Sequence, residues 1–278
     1  MIDRRDFIGT LGALAVGAAL PACRPAPATN RISRIGLQLY TVRDLMAKDV
    51  EGTLAAVAGA GYTEVEFAGY FDKSPAEIKA MLDRHGLVAP SVHSGNITPD
   101  AWAKALDAAH IIGHEYIVMP WIPAELRKTL DDWKRMAADF NRLATSAKAA
   151  GLQFAYHNHD FEFPLVEGKV PYDVLLAETD PNLVKMEIDL YWMTKGGQDP
   201  LTYFARWPGR IPLVHVKDGK GPPDWVMTEV GSGVIDWKRI FAKSQQAGIQ
   251  HYFVEHDQPA DPIASITASC AYLKKLEF

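Results

Sequence analysis

Five glycines, Gly61, Gly86, Gly113, Gly151 and Gly248, each end an amphipathic, Ala-rich stretch just before a short β-branched or aromatic run. Glycine adopts the left-handed conformation that terminates a helix without steric cost, so each one marks a helix-to-strand joint. Helix starts carry the complementary signal. Ser74-Pro75-Ala76-Glu77 reads as a capping box with proline at the first helical position, and Thr98-Pro99-Asp100 and Asp261-Pro262 follow the same logic. The apolar runs predict strands over 35–40, 63–67, 87–93, 116–120, 152–158, 183–188, 211–216 and 252–255. Helices are expected over 50–60, 75–85, 99–112, 131–150, 172–178, 200–206, 236–247 and 263–276. Eight βα units in about 245 residues suit a single closed (β/α)8 TIM barrel of the α/β class better than an open doubly wound sheet. No Gly-rich dinucleotide fingerprint follows the first run, where Gln38-Leu39-Tyr40-Thr41 stands instead.

Composition narrows the function classes. Of 278 residues, 48% are hydrophobic and 23% charged, which excludes a disordered chain, a collagen-like repeat and a polytopic membrane protein. A net charge of -5 supplies no general attraction to nucleic acid or anionic lipid, so no nucleic-acid partner is expected.

The first 23 residues stand apart from the barrel. Arg4-Arg5 precede an apolar, Gly/Ala-rich run from Phe7 to Leu20, too short to span a bilayer comfortably and suited to a signal peptide. The paired arginines resemble a twin-arginine export signal, and Leu20-Pro21-Ala22-Cys23 resembles a lipobox. The expected organisation is a signal over 1–23, a tether over 24–31 and the catalytic barrel over 32–278. The mature protein is then periplasmic or anchored to the membrane by lipid on Cys23. Cys270 would be left without a disulfide partner.

A TIM barrel builds its active site at the C-terminal ends of its strands, and ionisable residues gather there. Gln38, Glu66 and His93 end the first three strands, and Trp121 follows the fourth. The fifth runs into His157-Asn158-His159-Asp160-Phe161-Glu162 and the sixth into Glu187-Ile188-Asp189-Leu190-Tyr191-Trp192. The seventh carries His215 and Lys217, the eighth Glu255. Asp189, His215 and Glu255 come from three successive strands and converge on one side of the barrel mouth. One imidazole with carboxylates suits a divalent ion, Mn²⁺ first, with Mg²⁺, Co²⁺ and Zn²⁺ as alternatives. Gln38, His93 and Glu187 are expected to contact substrate hydroxyls, and Trp121 and Trp192 to wall a sugar face. The Gly231–Gly233 turn reads as a device that delivers Asp236 as a helix cap rather than as a phosphate loop.

These segments resemble the sugar isomerase and epimerase superfamily built on the xylose-isomerase-like barrel. The resemblance rests on GLQLYTVRD from Gly36, YHNHDFEF from Tyr156, EIDLYW from Glu187, HVKD from His215, GSGVIDW from Gly231 and FVEHD from Phe253. It implies a Glu, Asp, His, Glu metal set from strands five to eight, of which the last three fall on Asp189, His215 and Glu255. At the first position the sequence departs, with His157-Asn158-His159 where relatives carry Glu-Asn-His. Either His157 or Glu162 then supplies the fourth ligand. Loss of that carboxylate implies a histidine base, His157 or His159, with Lys217 polarising a carbonyl and Glu162 and Glu255 as further catalytic groups.

The reaction so implied begins by removing a proton next to the carbonyl of an unphosphorylated keto-sugar, giving an isomerase or epimerase. The same first step in a 3-keto-glycoside, followed by β-elimination, would cleave the glycosidic bond. A sugar-binding lipoprotein without turnover needs only Gln38, His93 and the aromatics. Pairing of barrels through outer helices is a further expectation.

Overall fold

The structure is a computed structural model that describes residues 30–278. Arg4-Arg5, the apolar run after them, Cys23 and the tether up to residue 29 lie outside the described residues. Among the described residues, no helix is long and apolar enough to cross a membrane.

Eight parallel strands close into one barrel: β1 (Gly36–Gln38), β2 (Glu64–Phe67), β3 (Val88–His93), β4 (Tyr116–Met119), β5 (Gln153–His157), β6 (Val184–Asp189), β7 (Leu213–Val216) and β10 (His251–Val254). Between the last two, β8 (Asp218–Gly219) and β9 (Met227–Thr228) form a small antiparallel pair outside the barrel. Neighbours in sequence are neighbours in the sheet, and β10 closes on β1 with Gly36 opposite Phe253. Each of the five joint glycines has a left-handed backbone, with φ between 65° and 100°. The Ser74–Glu77 capping box is present, and Asp261 accepts from the Ala264 amide. Thr98 differs from expectation. Its hydroxyl turns back to Asn96, so it makes no cap bond to its helix.

Two further departures have local causes. The expected helix over 236–247 is broken into Trp237–Phe241 and Ser244–Ala247, where the Ser244 hydroxyl donates to the Phe241 carbonyl. A hydroxyl that satisfies a backbone acceptor competes with helical bonding. An unexpected helix, Leu190–Lys195, starts directly from β6 because the Asp189 carboxylate accepts the Trp192 amide at 2.9 Å. The Gly231–Gly233 turn wraps a carboxylate of the chain itself. Asp218 accepts from the amides of Gly231 (2.9 Å), Gly233 (3.3 Å) and Ile235 (3.4 Å), and from the Trp237 indole at 3.0 Å. Asp236 then caps the next helix, as expected.

Strand periodicity sorts the side chains. Phe154 and Tyr156 face outward against Phe140 of the helix Leu130–Ala149, with ring centroids 5.4 and 4.9 Å apart. Their neighbours Ala155 and His157 therefore point into the barrel. Inside, Val118, Ala155, Leu213 and Phe253 form an apolar layer. A side chain at Gly36 would meet the Phe253 ring at 2.4 Å, so only glycine leaves that ring its place. Burial of such a ring contributes about 1.5–3 kcal/mol. The Phe253 ring separates His251 on one side from His215 on the other, at 6.1 and 6.4 Å. The polar layer on the His215 side is the site.

Candidate active site

One step beyond the apolar layer, the strands deliver a ring of ionisable groups. His157 follows Ala155 by two residues, His215 follows Leu213, and Glu255 follows Phe253. Glu66 on β2 and Glu187 and Asp189 on β6 join them, and all three are fully buried. Register supports the meeting, with His157 opposite Glu187 and Asp189 opposite His215.

The inner part of this ring holds three imidazoles and two carboxylates. Glu187 Oε2 lies 2.8 Å from His93 Nε2 and 3.3 Å from both His157 Nδ1 and His215 Nε2. Glu66 Oε2 lies 2.7 Å from His215 Nε2 and 3.3 Å from His93 Nε2. Gln38 and Ser91 donate to the same Glu66 carboxylate, at 2.7 and 2.5 Å, and fix its position. Burial opposes charge on each of these groups, but partners outweigh it for three. His93 is raised to about 9 by Glu66 and Glu187, and His215 stands well above the ordinary imidazole value through Glu187 and Glu255. Glu66 is held well below the carboxylate range by His93 and His215. His157 goes the other way: burial and the neighbouring imidazoles push it well below its usual value.

The outer part is organised by one ammonium. Lys217 Nζ lies 2.8 Å from Glu255 Oε2, 2.8 Å from Asp257 Oδ1 and 3.1 Å from Asp189 Oδ2. Burial disfavours its charge, yet the three carboxylates raise its pKa well above the usual lysine value. Glu255 Oε2 also lies 2.8 Å from His215 Nδ1, which joins the two parts.

Among the described residues, two groups could hold a metal ion: His93, His157, Glu187 and His215, and separately Asp189, His215 and Glu255. The residues fit a cation. Four buried carboxylates surround His215, and Glu187 Oε1 and His157 Nδ1 are buried without a hydrogen-bond partner. Buried polar atoms are almost always paired, so unpaired donor atoms on one focus indicate a missing partner.

The ring opens into a cavity of about 480 Å³. His93, His157, His159, Lys217 and Glu255 reach it, and Tyr40, Trp121 and Trp192 form its aromatic walls. Tyr40 and Trp121 are 43% and 48% exposed, so they line the mouth rather than the core. His159 stacks on Phe161 at 5.3 Å and leans on Trp192 at 5.7 Å. Burial and the Lys217 charge push its pKa down to about 3, which leaves a neutral ring at neutral pH.

Three expected residues are placed elsewhere. Glu162 does not reach either candidate metal group. Its carboxylate is buried behind β5, accepting from the Tyr156 hydroxyl at 2.6 Å and the His159 amide at 3.0 Å, so it props the His159 loop. Burial raises it to about 8, against those hydrogen bonds. Gln38 does not line the cavity, because its amide donates to Glu66 and accepts from the Tyr40 amide at 3.0 Å. Glu187, expected to touch substrate, sits beneath His93 and His157. Glu66 was read as a strand-end residue without a role, and Tyr40 and Asp257 were given none. The alternation of Glu64-Val65-Glu66-Phe67 held a clue to Glu66, since a strand presents every second residue to the barrel interior.

A family profile described as a xylose isomerase-like TIM barrel matches residues 54–276. An inosose dehydratase from Lacticaseibacillus casei is 28% identical over 232 residues, covering 70% of this chain and 77% of its own. A crystal structure of a sugar phosphate isomerase/epimerase from Parabacteroides distasonis has a TM-score of 0.79 at 28% identity, covering 90% of this chain and 98% of that one. A structure of the IOLI protein with a bound zinc atom shares the fold, with a TM-score of 0.68 at 14% identity over 85% of this chain and 95% of that one.

Proposed function

The chain belongs to the xylose isomerase-like TIM barrel family and is a sugar-modifying enzyme, and from that premise we propose that it removes a proton next to the carbonyl of an unphosphorylated keto-sugar with a divalent metal. The observation that carries this reading is a metal-competent His/Glu group whose His93 and His157 reach the same cavity as a buried ammonium and a neutral imidazole. A divalent ion held by these His and Glu side chains would supply Lewis-acid polarisation of a substrate carbonyl, which would acidify the neighbouring carbon-bound proton. His159, whose ring stands at the cavity wall, is the imidazole placed to take that proton. Lys217, held by three carboxylates, faces the oxygen on which negative charge develops, where a fixed cation in a dry site acts most strongly. Tyr40, Trp121 and Trp192 orient the sugar by its apolar face.

An unphosphorylated substrate is supported by the charge of the cavity. Among the described residues Lys217 is the one lysine or arginine that lines it, and its charge is already matched by Asp189, Glu255 and Asp257. The Gly231–Gly233 amides that could cradle a phosphate are taken by Asp218.

Return of the proton to the sugar makes the enzyme an isomerase or epimerase. A second outcome is favoured by the likeness to inosose dehydratases: loss of a group β to the carbonyl, as water or as the C1 substituent of a 3-keto-glycoside. The two are separated by proton exchange in D₂O with Mn²⁺-loaded protein and free ketoses or 3-keto-glucosides. Deuterium in an intact, rearranged sugar supports isomerase or epimerase chemistry, and release of the substituent supports elimination. Tight sugar binding with no exchange on any substrate would sink both and leave a binding protein. The Arg4-Arg5 pair and the Leu20–Cys23 segment support export and lipidation as part of this reading. Mass analysis of the N-terminus from membrane and soluble fractions tests it.

A further inference from the structure

A second cavity, of about 520 Å³, adjoins the first, and Asp160, Phe161, Phe163, Lys195, Gly196 and Trp225 line it. One layer of side chains separates the two. His159 lines the first cavity, and Phe161, stacked on it at 5.3 Å, lines the second. Trp192 lines the first, and Lys195, whose Nζ is 4.4 Å from the Trp192 ring centre, lines the second. His159, Phe161, Trp192 and Lys195 are each half-buried, so this layer ends at the surface and does not seal one cavity from the other.

The walls of the second cavity are held firmly. Trp225, in the loop between β8 and β9, has a φ of 48°, a left-handed backbone that a bulky side chain rarely adopts. Such a conformation persists only where its surroundings impose it, and it concentrates at functional sites. Here the Trp225 amide donates to the Gly221 carbonyl at 2.9 Å, and the Tyr191 hydroxyl donates to the Trp225 carbonyl. The Tyr191 ring meets the indole at 81°. Phe163 packs over Gly196, where a Cβ would lie 2.4 Å from its ring. Phe161 is fixed by the Arg127 guanidinium, 3.4 Å from its ring centre. The charged groups that line the cavity, Asp160 and Lys195, are paired with each other at 2.9 Å. Three aromatic rings and a matched ion pair suit a flat apolar group, whereas the hydroxyls of a second sugar would need polar partners that are not already taken.

We propose, resting on the glycoside reading above, that the second cavity is the subsite for the C1 substituent of the substrate and that this substituent is a flat aromatic group. With the sugar ring in the first cavity, a substituent that crosses the His159–Trp192 rim reaches the Trp225 indole. The substrate class is then an aryl glycoside, and Trp225 is a specificity-determining residue that touches the substituent and not the sugar.

The full chain, loaded with Mn²⁺, is titrated calorimetrically with phenyl glucoside, methyl glucoside and methyl cellobioside. None of the three carries a ketone, so binding is measured without turnover. Phenyl glucoside is expected to bind on the order of 10-fold more tightly than methyl glucoside, the value of one aromatic contact. Trp225→Gly suits the left-handed backbone and removes the indole alone. It is expected to bring phenyl glucoside down to the affinity of methyl glucoside, and Trp225→Tyr to restore most of the difference. Equal affinity of the wild type for the two glucosides, or a difference that survives in Trp225→Gly, would overturn the subsite. Methyl cellobioside bound more tightly than phenyl glucoside, with that advantage lost in Trp225→Gly, would assign the cavity to a second sugar and overturn the aromatic class. Binding of none of the three at millimolar concentration also overturns the subsite, while proton exchange in D₂O decides the functional reading independently.

Discussion

Glu64 and Glu66 stand two residues apart on β2, point into the same barrel and each meet a histidine from across it. Glu64 bonds His251 Nδ1 at 2.9 Å and pairs with Arg34 at 3.0 Å, on one side of the Phe253 layer. Glu66 bonds His215 Nε2 at 2.7 Å on the other. The surroundings differ in charge balance. Glu64 has one histidine and one arginine for one carboxylate, and Tyr116 packs edge-on against His251 at 5.7 Å. Around His215 the carboxylates Glu66, Glu187, Asp189 and Glu255 outnumber the fixed cations, of which Lys217 is one, and a cavity opens beside them. A buried charge that is balanced by its neighbours is architecture. One left over, next to open space, is prepared for something that arrives.

The comparison breaks most clearly at its two histidine partners. His215→Asn removes the residue common to both metal groups, and turnover is expected to fall on the order of 10³-fold or more, since metal stabilisation is worth several kcal/mol. Glu64→Gln should leave kcat within a few-fold and instead cost about 1–3 kcal/mol of stability in urea titration, the cost of losing a buried ionic partner. Collapse of activity in Glu64→Gln would show that the two clusters work as one.

Lys217→Met tests whether the outer cation acts in chemistry as well as in folding. Loss of a fixed charge near a developing oxyanion costs about 10²–10³-fold in kcat. Leaving three carboxylates unpaired costs about 3–5 kcal/mol of stability. A variant that loses stability but keeps kcat would make Lys217 purely structural.

Glu162 sharpens the contrast through pH. Burial raises its folded-state pKa from 4.5 to about 8, so between those values the folded protein binds more protons than the unfolded chain. Stability therefore falls as pH rises through that window, by up to about 1.4 kcal/mol per unit. Glu162→Gln removes the penalty, and its stability relative to wild type should climb from pH 5 to pH 8. A flat difference across that range would mean that Glu162 is ionised at little cost. Trp121→Ala gives the smallest effect. Its stability should stay within about 0.5 kcal/mol, as expected for a surface position. KM should rise about 2–10-fold, the value of one aromatic contact.

Much of the barrel was readable because its signals are local. A glycine at a helix end, a proline at a helix start and alternating apolar runs depend on neighbours within a few residues, and all eight strands lie where those signals put them. The helix Leu190–Lys195 was missed because its start depends on the side chain of Asp189, which also ends a strand. Among site residues, His157, His159, Lys217 and Glu255 were legible as strand-end groups and do reach the cavity. Glu162 was misplaced because a turn after a strand sends a side chain forward or back according to packing. Here the Tyr156 hydroxyl draws it behind the sheet.

From the sequence alone come the number of βα units, the end of the barrel that carries chemistry and the kinds of donors gathered there, since each follows from residue type and short-range spacing. Only the closed barrel decides which donors share an atom's width of space. His93 and Glu187 are 94 positions apart, and Glu66 and His215 are 149 apart. Their meeting depends on strand register and on the volume of the Phe253 layer beneath them. The same closure seats Lys217 against Asp189 and Glu255, two of the residues that sequence spacing had gathered around a metal ion and that still meet at His215.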